Sequence, residues 1–202
     1  MKQKKGTYAI VEATALSLIA LLSFTILNKE YLFGWAAHNW LFYLILAVIP
    51  VLLLLSNWHF VSALMTAGIV LGLFGGNYLG NSIQMFNAAK ITAAMPPDQV
   101  ARLHYHPGFK IWILTILLFT SLGISLQALG GGKEAVRRAL KAALGPSFGV
   151  VVGGVIFPRL MHSWPYNETY PPLLIHVAIG LVGGYLGSLL VCLVWEWFRS
   201  KG

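Results

Sequence analysis

The sequence predicts an all-α integral membrane protein: a polytopic bundle of six transmembrane helices. Three observations carry this reading. Apolar runs of about 20 residues recur along the chain, long enough to cross a hydrocarbon core of about 30 Å. Hydrophobic residues make up 57% of the 202 residues and charged residues only 10%, against about 25% charged in soluble domains. The 14 Lys and Arg residues sit at the ends of the apolar runs, where positive charge sets orientation. No polar stretch is long enough for a separate soluble domain, so residues 1–202 read as one transmembrane domain. A net charge of +8 spread this way points to an anionic membrane surface and away from nucleic acid.

The expected spans are 8–28, 36–56, 58–83, 109–130, 143–161 and 172–196. The first follows a basic start, MKQKK, and its apolar run is longer than the core of a signal peptide. The second and third are uninterrupted by charge. A long loop, 84–108, comes next. Within it Pro96-Pro97 breaks the chain, Asp98 stands in a capping position, and a short surface helix runs to Pro107-Gly108. The fourth span opens with Phe109 and Trp112 as interface residues. Segment 131–144 is Gly-led, basic and amphipathic, the pattern of a helix lying on an anionic leaflet. The fifth span is short, interrupted by Gly and Pro, and open to being a broken or re-entrant helix. The sixth is long and apolar. With the amino terminus inside, inner segments hold nine Lys and Arg and outer segments five. This bias places both termini in the cytoplasm.

GLFGGNYLGNS (72–82) in the third span resembles GLVGGYLGS (180–188) in the sixth. Three spans per half is an odd number, so halves 1–101 and 102–202 would face opposite ways, as in inverted-repeat transporters. Small residues recur every four positions: Gly68, Gly72, Gly76 and Gly80; Gly145, Gly149 and Gly153; Gly180, Gly184 and Ser188; and Ala9, Ala13 and Ser17. Such spacing puts them on one helix face. In lipid, close backbone approach is a main source of helix association, so these faces read as packing seams or partner surfaces.

Polar residues inside the spans are few. Glu12 stands about one turn into the first span, where it can snorkel, pair with a lysine, or bind a proton or cation. Asn77 and Asn81 share a face of the third span and can each donate and accept, which suits a polar ligand or interhelical hydrogen bonds. Glu196, among Trp195, Trp197 and Arg199, reads as an interface anchor. His38, His104, His106, His162 and His176 fall on the outer side, with Glu168 and aromatics such as Trp164; only His59 falls on the inner side. They allow three readings. His104 and His106 could hold a metal, completed by His162 or a carboxylate. His38 and His176 could ligate haem b. Or the histidines line a polar outer cavity or hydrogen-bond at the interface. No nucleophile elbow, phosphate loop or HExxH motif occurs. One cysteine, Cys192, excludes an internal disulfide. Asn167–Thr169 matches a glycosylation acceptor by pattern.

Six spans, cytoplasmic termini and the stripe Ala9, Ala13, Ser17 resemble the substrate-binding S components of energy-coupling-factor transporters. In that family a small-residue stripe on the first span docks a partner membrane subunit, and substrate binds in a pocket open to the outside. The resemblance implies a chain that binds a micronutrient and does not move it alone. The function expected is therefore a small-solute transport component rather than an enzyme, in a bacterial-type plasma membrane. It would bind a small polar or micronutrient ligand from outside through Asn77, Asn81, His104, His106, His176, Trp164 and Glu168. It would work within the lipid bilayer, with a partner subunit or as a homo-oligomer. The alternatives are a haem-binding anchor or electron-transfer subunit, and a membrane enzyme with an outer His/Glu metal site.

Overall fold

The computed structural model describes residues 2–130, 133–156 and 173–200. Among them every regular element is helical: α1 (Lys2–Phe24), α2 (Tyr31–His38), α3 (Trp40–Leu55), α4 (His59–Ala88), α5 (Pro97–His104), α6 (Gly108–Ala128), α7 (Lys133–Ala142), α8 (Leu144–Val151), a π-helical turn (Val152–Ile156) and α9 (Leu173–Arg199). Five runs are long and apolar enough to cross a membrane: Gly6–Phe24, His59–Ala88, Gly108–Ala128, Lys133–Ile156 and Leu174–Arg199. The pair α2 and α3, bent by 90° at its break, makes a sixth if counted as one span. This is the pattern of a multi-pass membrane protein. The chain divides into two compact units, Met1–Tyr78 with Gly108–Gly131, and Leu79–Pro107 with Gly132–Gly202.

Unit one is built around a buried cluster: Leu16 and Ile19 of α1, Leu32, Phe33 and Ala36 of α2, Tyr43 of α3, Met65, Ile69 and Leu73 of α4, and Trp112 and Ile116 of α6. Trp112 is fully buried, not an interface residue as its place at the start of a span suggests. Its indole N–H donates to the Ile69 carbonyl at 3.0 Å, and its ring meets Trp35 edge-on at 6.0 Å. A buried indole needs such a partner, because an unpaired donor in an apolar interior costs about 1–3 kcal/mol.

Glycines let α4 and α6 approach to backbone contact. A Cβ on Gly72 would stand 2.9 Å from Trp112 Cδ1, and one on Gly76 2.5 Å from the Gly108 carbonyl oxygen. Gly123 of α6 is the counterpart, its Cβ position 2.7 Å from Val61 Cα. Gly123 stands outside the four-residue recurrences, so spacing alone does not single it out.

The second expected span, 36–56, is not one straight helix. α2 begins earlier, at Tyr31, and ends at His38; Asn39 breaks it and α3 follows. No proline marks the break. Side chains close the end of α2 instead: Asn39 Nδ2 donates to the Trp35 carbonyl at 2.9 Å, and the His38 ring bonds the Gly34 carbonyl at 2.7 Å. An eight-residue helix is too short to persist alone, so it rests on fully buried Leu32 and Phe33 and on a cap supplied from α4, described below.

In unit two, α5 confirms a short helix after the Pro-Pro break. Its N-cap is Pro96, with no side-chain cap bond, and Asp98 lies in the first turn, not at the cap. A carboxylate there still favours the positive end of the helix dipole. α7 is not only a surface helix. Ala139 is 1% exposed, Arg138 pairs with Glu196 of α9, and Tyr185 donates to the Leu140 carbonyl at 3.2 Å. The fifth expected span, 143–161, starts as α8 with Pro146 tolerated in its first turn. It then widens into the π turn; residues beyond Ile156 lie outside the described ones. α8 packs on α9, where Cβ atoms on Gly180 and Gly184 would stand 2.8 Å from Val155 Cγ2 and 3.1 Å from Val150.

Candidate functional site

Two polar centres lie in unit one. The first is Glu12, buried at 7% exposure. Its Oε2 lies 2.5 Å from Ser62 Oγ and 3.4 Å from Thr66 Oγ1, and Ser62 Oγ also lies 2.7 Å from the Pro50 carbonyl. Ser62 and Thr66 are one turn apart on α4, so they present both hydroxyls on one face. Residues from α1, α3 and α4 thus meet at one hydroxyl group, that of Ser62. The sequence singled out Glu12 but not its partners. The signal was present: a Ser/Thr pair at four-residue spacing on an apolar helix, the spacing that singled out Asn77 and Asn81.

The second centre is Asn77, fully buried. Its Nδ2 donates to Glu30 Oε2 at 2.7 Å, and its Oδ1 accepts from the Leu32 N–H at 3.0 Å. Glu30 is the N-cap of α2 but makes no side-chain cap bond. Asn77 takes over that role from α4, satisfying a first-turn N–H that has no partner within its own helix. Asn77 is thus committed to holding the broken span.

Asn81, one turn on, belongs to unit two. Its Oδ1 lies 2.8 Å from His106 Nε2. The two histidines of the loop part company. His106 is 5% exposed, and His104 is exposed, its backbone carbonyl accepting from Gln84 at 2.7 Å. Burial holds His106 below the ordinary histidine pKa, with a hydrogen bond to its own backbone acting in the opposite sense. The ring is neutral at pH 7, and its Nε2–H can donate to the Asn81 carbonyl oxygen.

At the other end of unit two, Arg138 reaches Glu196 Oε2 at 2.7 Å through Nη2 and 3.1 Å through Nε. Glu196, with a side chain 9% exposed, is an ion-pair partner inside the unit and not the boundary anchor its Trp neighbours suggest.

The remaining expected residues are placed as follows. His176 is half-buried on α9. His38 spends Nδ1 on Gly34, which leaves Nε2 as its outward nitrogen. Ala13 and Ser17 are exposed in an apolar groove of about 380 Å³, lined also by Trp40, Tyr43 and Val48, while Ala9 is half-buried beyond it. Gly68 faces Phe119 Cβ at 2.9 Å, and Gly80 is buried. A Cβ on Gly149 or Gly153 would meet nothing within 4 Å. His162, Trp164 and Glu168, with the Asn167–Thr169 pattern, lie outside the described residues. Among the described residues no group of three or more His, Cys, Asp or Glu side chains is placed to hold a metal. Comparison with protein-family models, with curated proteins and with solved structures finds no match.

Proposed function

We propose that this chain is a small-solute membrane transport component, built from two inverted halves of three spans. The observation that carries the reading is that the second and fifth spans both depart from a straight α-helix. The second breaks by 90° at Asn39. The fifth widens from α8 into a π turn at Val152–Ile156. These are matching positions, the middle span of each half. Discontinuous helices at corresponding positions are where inverted-repeat transporters build substrate sites, because freed backbone groups can face a ligand. π-turns inside helices likewise cluster at functional positions. The repeated Gly-rich segments in the third and sixth spans support the same pairing of halves. So do the close contacts at Gly72, Gly76, Gly180 and Gly184, which fit a glycine-seamed bundle.

In this reading both termini are cytoplasmic and the ligand, a small polar molecule or micronutrient, enters from outside. His106 with Asn81 is the pair assigned to it, because a neutral imidazole and an amide can both donate and accept. The partner subunit would seat on Ala9, Ala13 and Ser17, whose exposed members line the apolar groove.

The test is purification of the full chain in lipid nanodiscs, followed by mass spectrometry of what it releases. A stoichiometric small polar molecule, reduced at least several-fold in His106→Ala, supports the proposal. A Soret band or a stoichiometric metal ion with no such molecule replaces it with the haem-subunit or metal-enzyme reading.

A further inference from the structure

We propose that Glu12 is a proton-binding site and stands in this structure as the neutral carboxylic acid. Ser62 has one hydroxyl hydrogen. Its oxygen lies within hydrogen-bond range of both Glu12 Oε2, at 2.5 Å, and the Pro50 carbonyl, at 2.7 Å. A backbone carbonyl only accepts, and so does an ionised carboxylate. One hydrogen cannot serve both contacts, and two oxygens this close without a hydrogen between them repel. The count closes when Glu12 carries a proton. Its O–H then donates to Ser62 Oγ, and Ser62 donates to Pro50. Both distances fall in the O–H···O range of about 2.5–3.0 Å. The Thr66 hydroxyl, at 3.4 Å, adds a weak donor to the same oxygen.

The surroundings agree. Glu12 is buried within a span, where an unpaired carboxylate is costly. Among the residues whose side chains are described, from residue 6 on, the ion pairs are Arg138 with Glu134 and Glu196, and Arg199 with Glu196; none includes Glu12. The other titratable groups on the helices meeting there are Lys2, Lys4, Lys5 and the exposed Tyr8 on α1; Tyr43 on α3, whose hydroxyl donates to the Leu16 carbonyl; and His59 and Tyr78 on α4. His59, Ser62 and Thr66 stand at i, i+3 and i+7, one helical face. His59 Nδ1 is buried without a hydrogen-bond partner. A titratable base therefore begins the face that ends at the acid.

Loss of the proton has a structural consequence. The Glu12 O–H bond breaks, the electron pair stays on the carboxylate, and the proton passes to a base in the surrounding water. Ser62 must then give its one hydrogen either to Glu12 or to Pro50. One of two ties, α1 to α4 or α3 to α4, is lost. Protonation of Glu12 is thus coupled to the packing of three helices of unit one. This holds whether or not the chain is a transporter.

Infrared spectroscopy of the full chain in nanodiscs tests the assignment directly. The expected result at pH 7 is the carbonyl stretch of a protonated carboxylic acid, resolved above the amide band and lost in Glu12→Gln. Ser62→Ala keeps the Glu12 carboxyl and removes its acceptor, together with the bond to Pro50, so it should move the same band to higher frequency even if Glu12→Gln does not fold. Absence of the band at pH 7, the result for an ionised Glu12, overturns the proposal. So does a band unmoved by either substitution, which would belong to another carboxyl group.

Discussion

Unit one and unit two solve the same problem by different means. In lipid, apolar surface gains nothing by leaving its surroundings, so helices associate through close packing and interhelical hydrogen bonds. Unit one uses both. Its glycines bring α4 and α6 to backbone contact, and its buried polar groups, Trp112, Asn77, Glu12 and Ser62, bond across helices. In unit two the long helix α9 stands largely uncovered. Leu174, Val191 and Trp195 of α9 are each more than two-thirds exposed. Unit two's cross-element ties include an ion pair, Arg138–Glu196, a histidine–amide pair, His106–Asn81, and the bonds of Tyr185 and Gln84 to backbone carbonyls. The lesson is that exposed apolar residues carry little information in such a chain, whereas a small residue or a polar atom at a helix crossing carries a great deal.

The largest break in this comparison should come from Trp112→Ala in unit one. It empties the centre of the buried cluster and leaves the Ile69 carbonyl without its cross-helix donor, a change expected to cost about 3–5 kcal/mol. Denaturant unfolding in mixed micelles reads it; a loss below about 1 kcal/mol would mean that unit one is not organised around this ring. Next is Gly76→Ala, set against Gly149→Ala. The first must displace the Gly108 carbonyl or Leu32, at about 1–3 kcal/mol. The second meets open space and should stay within about 0.5 kcal/mol. Equal effects at the two positions would remove the steric distinction.

The smallest effect should be the pH response of unit two through His106. Its folded pKa is depressed, so the unfolded chain takes up a proton first as pH falls. Stability should be level above the ordinary histidine value of about 6.5 and decline as pH falls below it toward the depressed value. Thermal unfolding of wild type and His106→Gln between pH 8 and pH 5 isolates this contribution from the other five histidines. A wild-type slope no steeper than the variant's would contradict it.

Much of the fold is legible along the chain because span length and hydropathy are local quantities. α1, α4, α6 and α9 are visible as long apolar runs with polar ends. The fifth span, expected to be broken by its Gly and Pro residues, runs through Pro146 as helix and departs from α geometry only at the π turn Val152–Ile156. The bend at Asn39 is not legible, because it is held by Asn39 and His38, each acting on backbone groups that hydropathy does not see, while Asn77 of α4 caps the other end of α2. Gly123 escapes for a similar reason: one glycine has no period, and only its contact with Val61 gives it a role.

The same division runs through the polar residues. Sequence alone determined that Glu12, Asn77 and Asn81 are polar groups within apolar helices, and that two histidines flank Tyr105. Tertiary structure decided what each one does. It committed Asn77 to capping a broken helix, turned His104 out and His106 in, and set Glu12 against a hydroxyl that has only one hydrogen to give. The reason is physical: composition fixes the cost of placing a polar group in lipid, but only the atoms that meet it across a helix crossing decide how that cost is met.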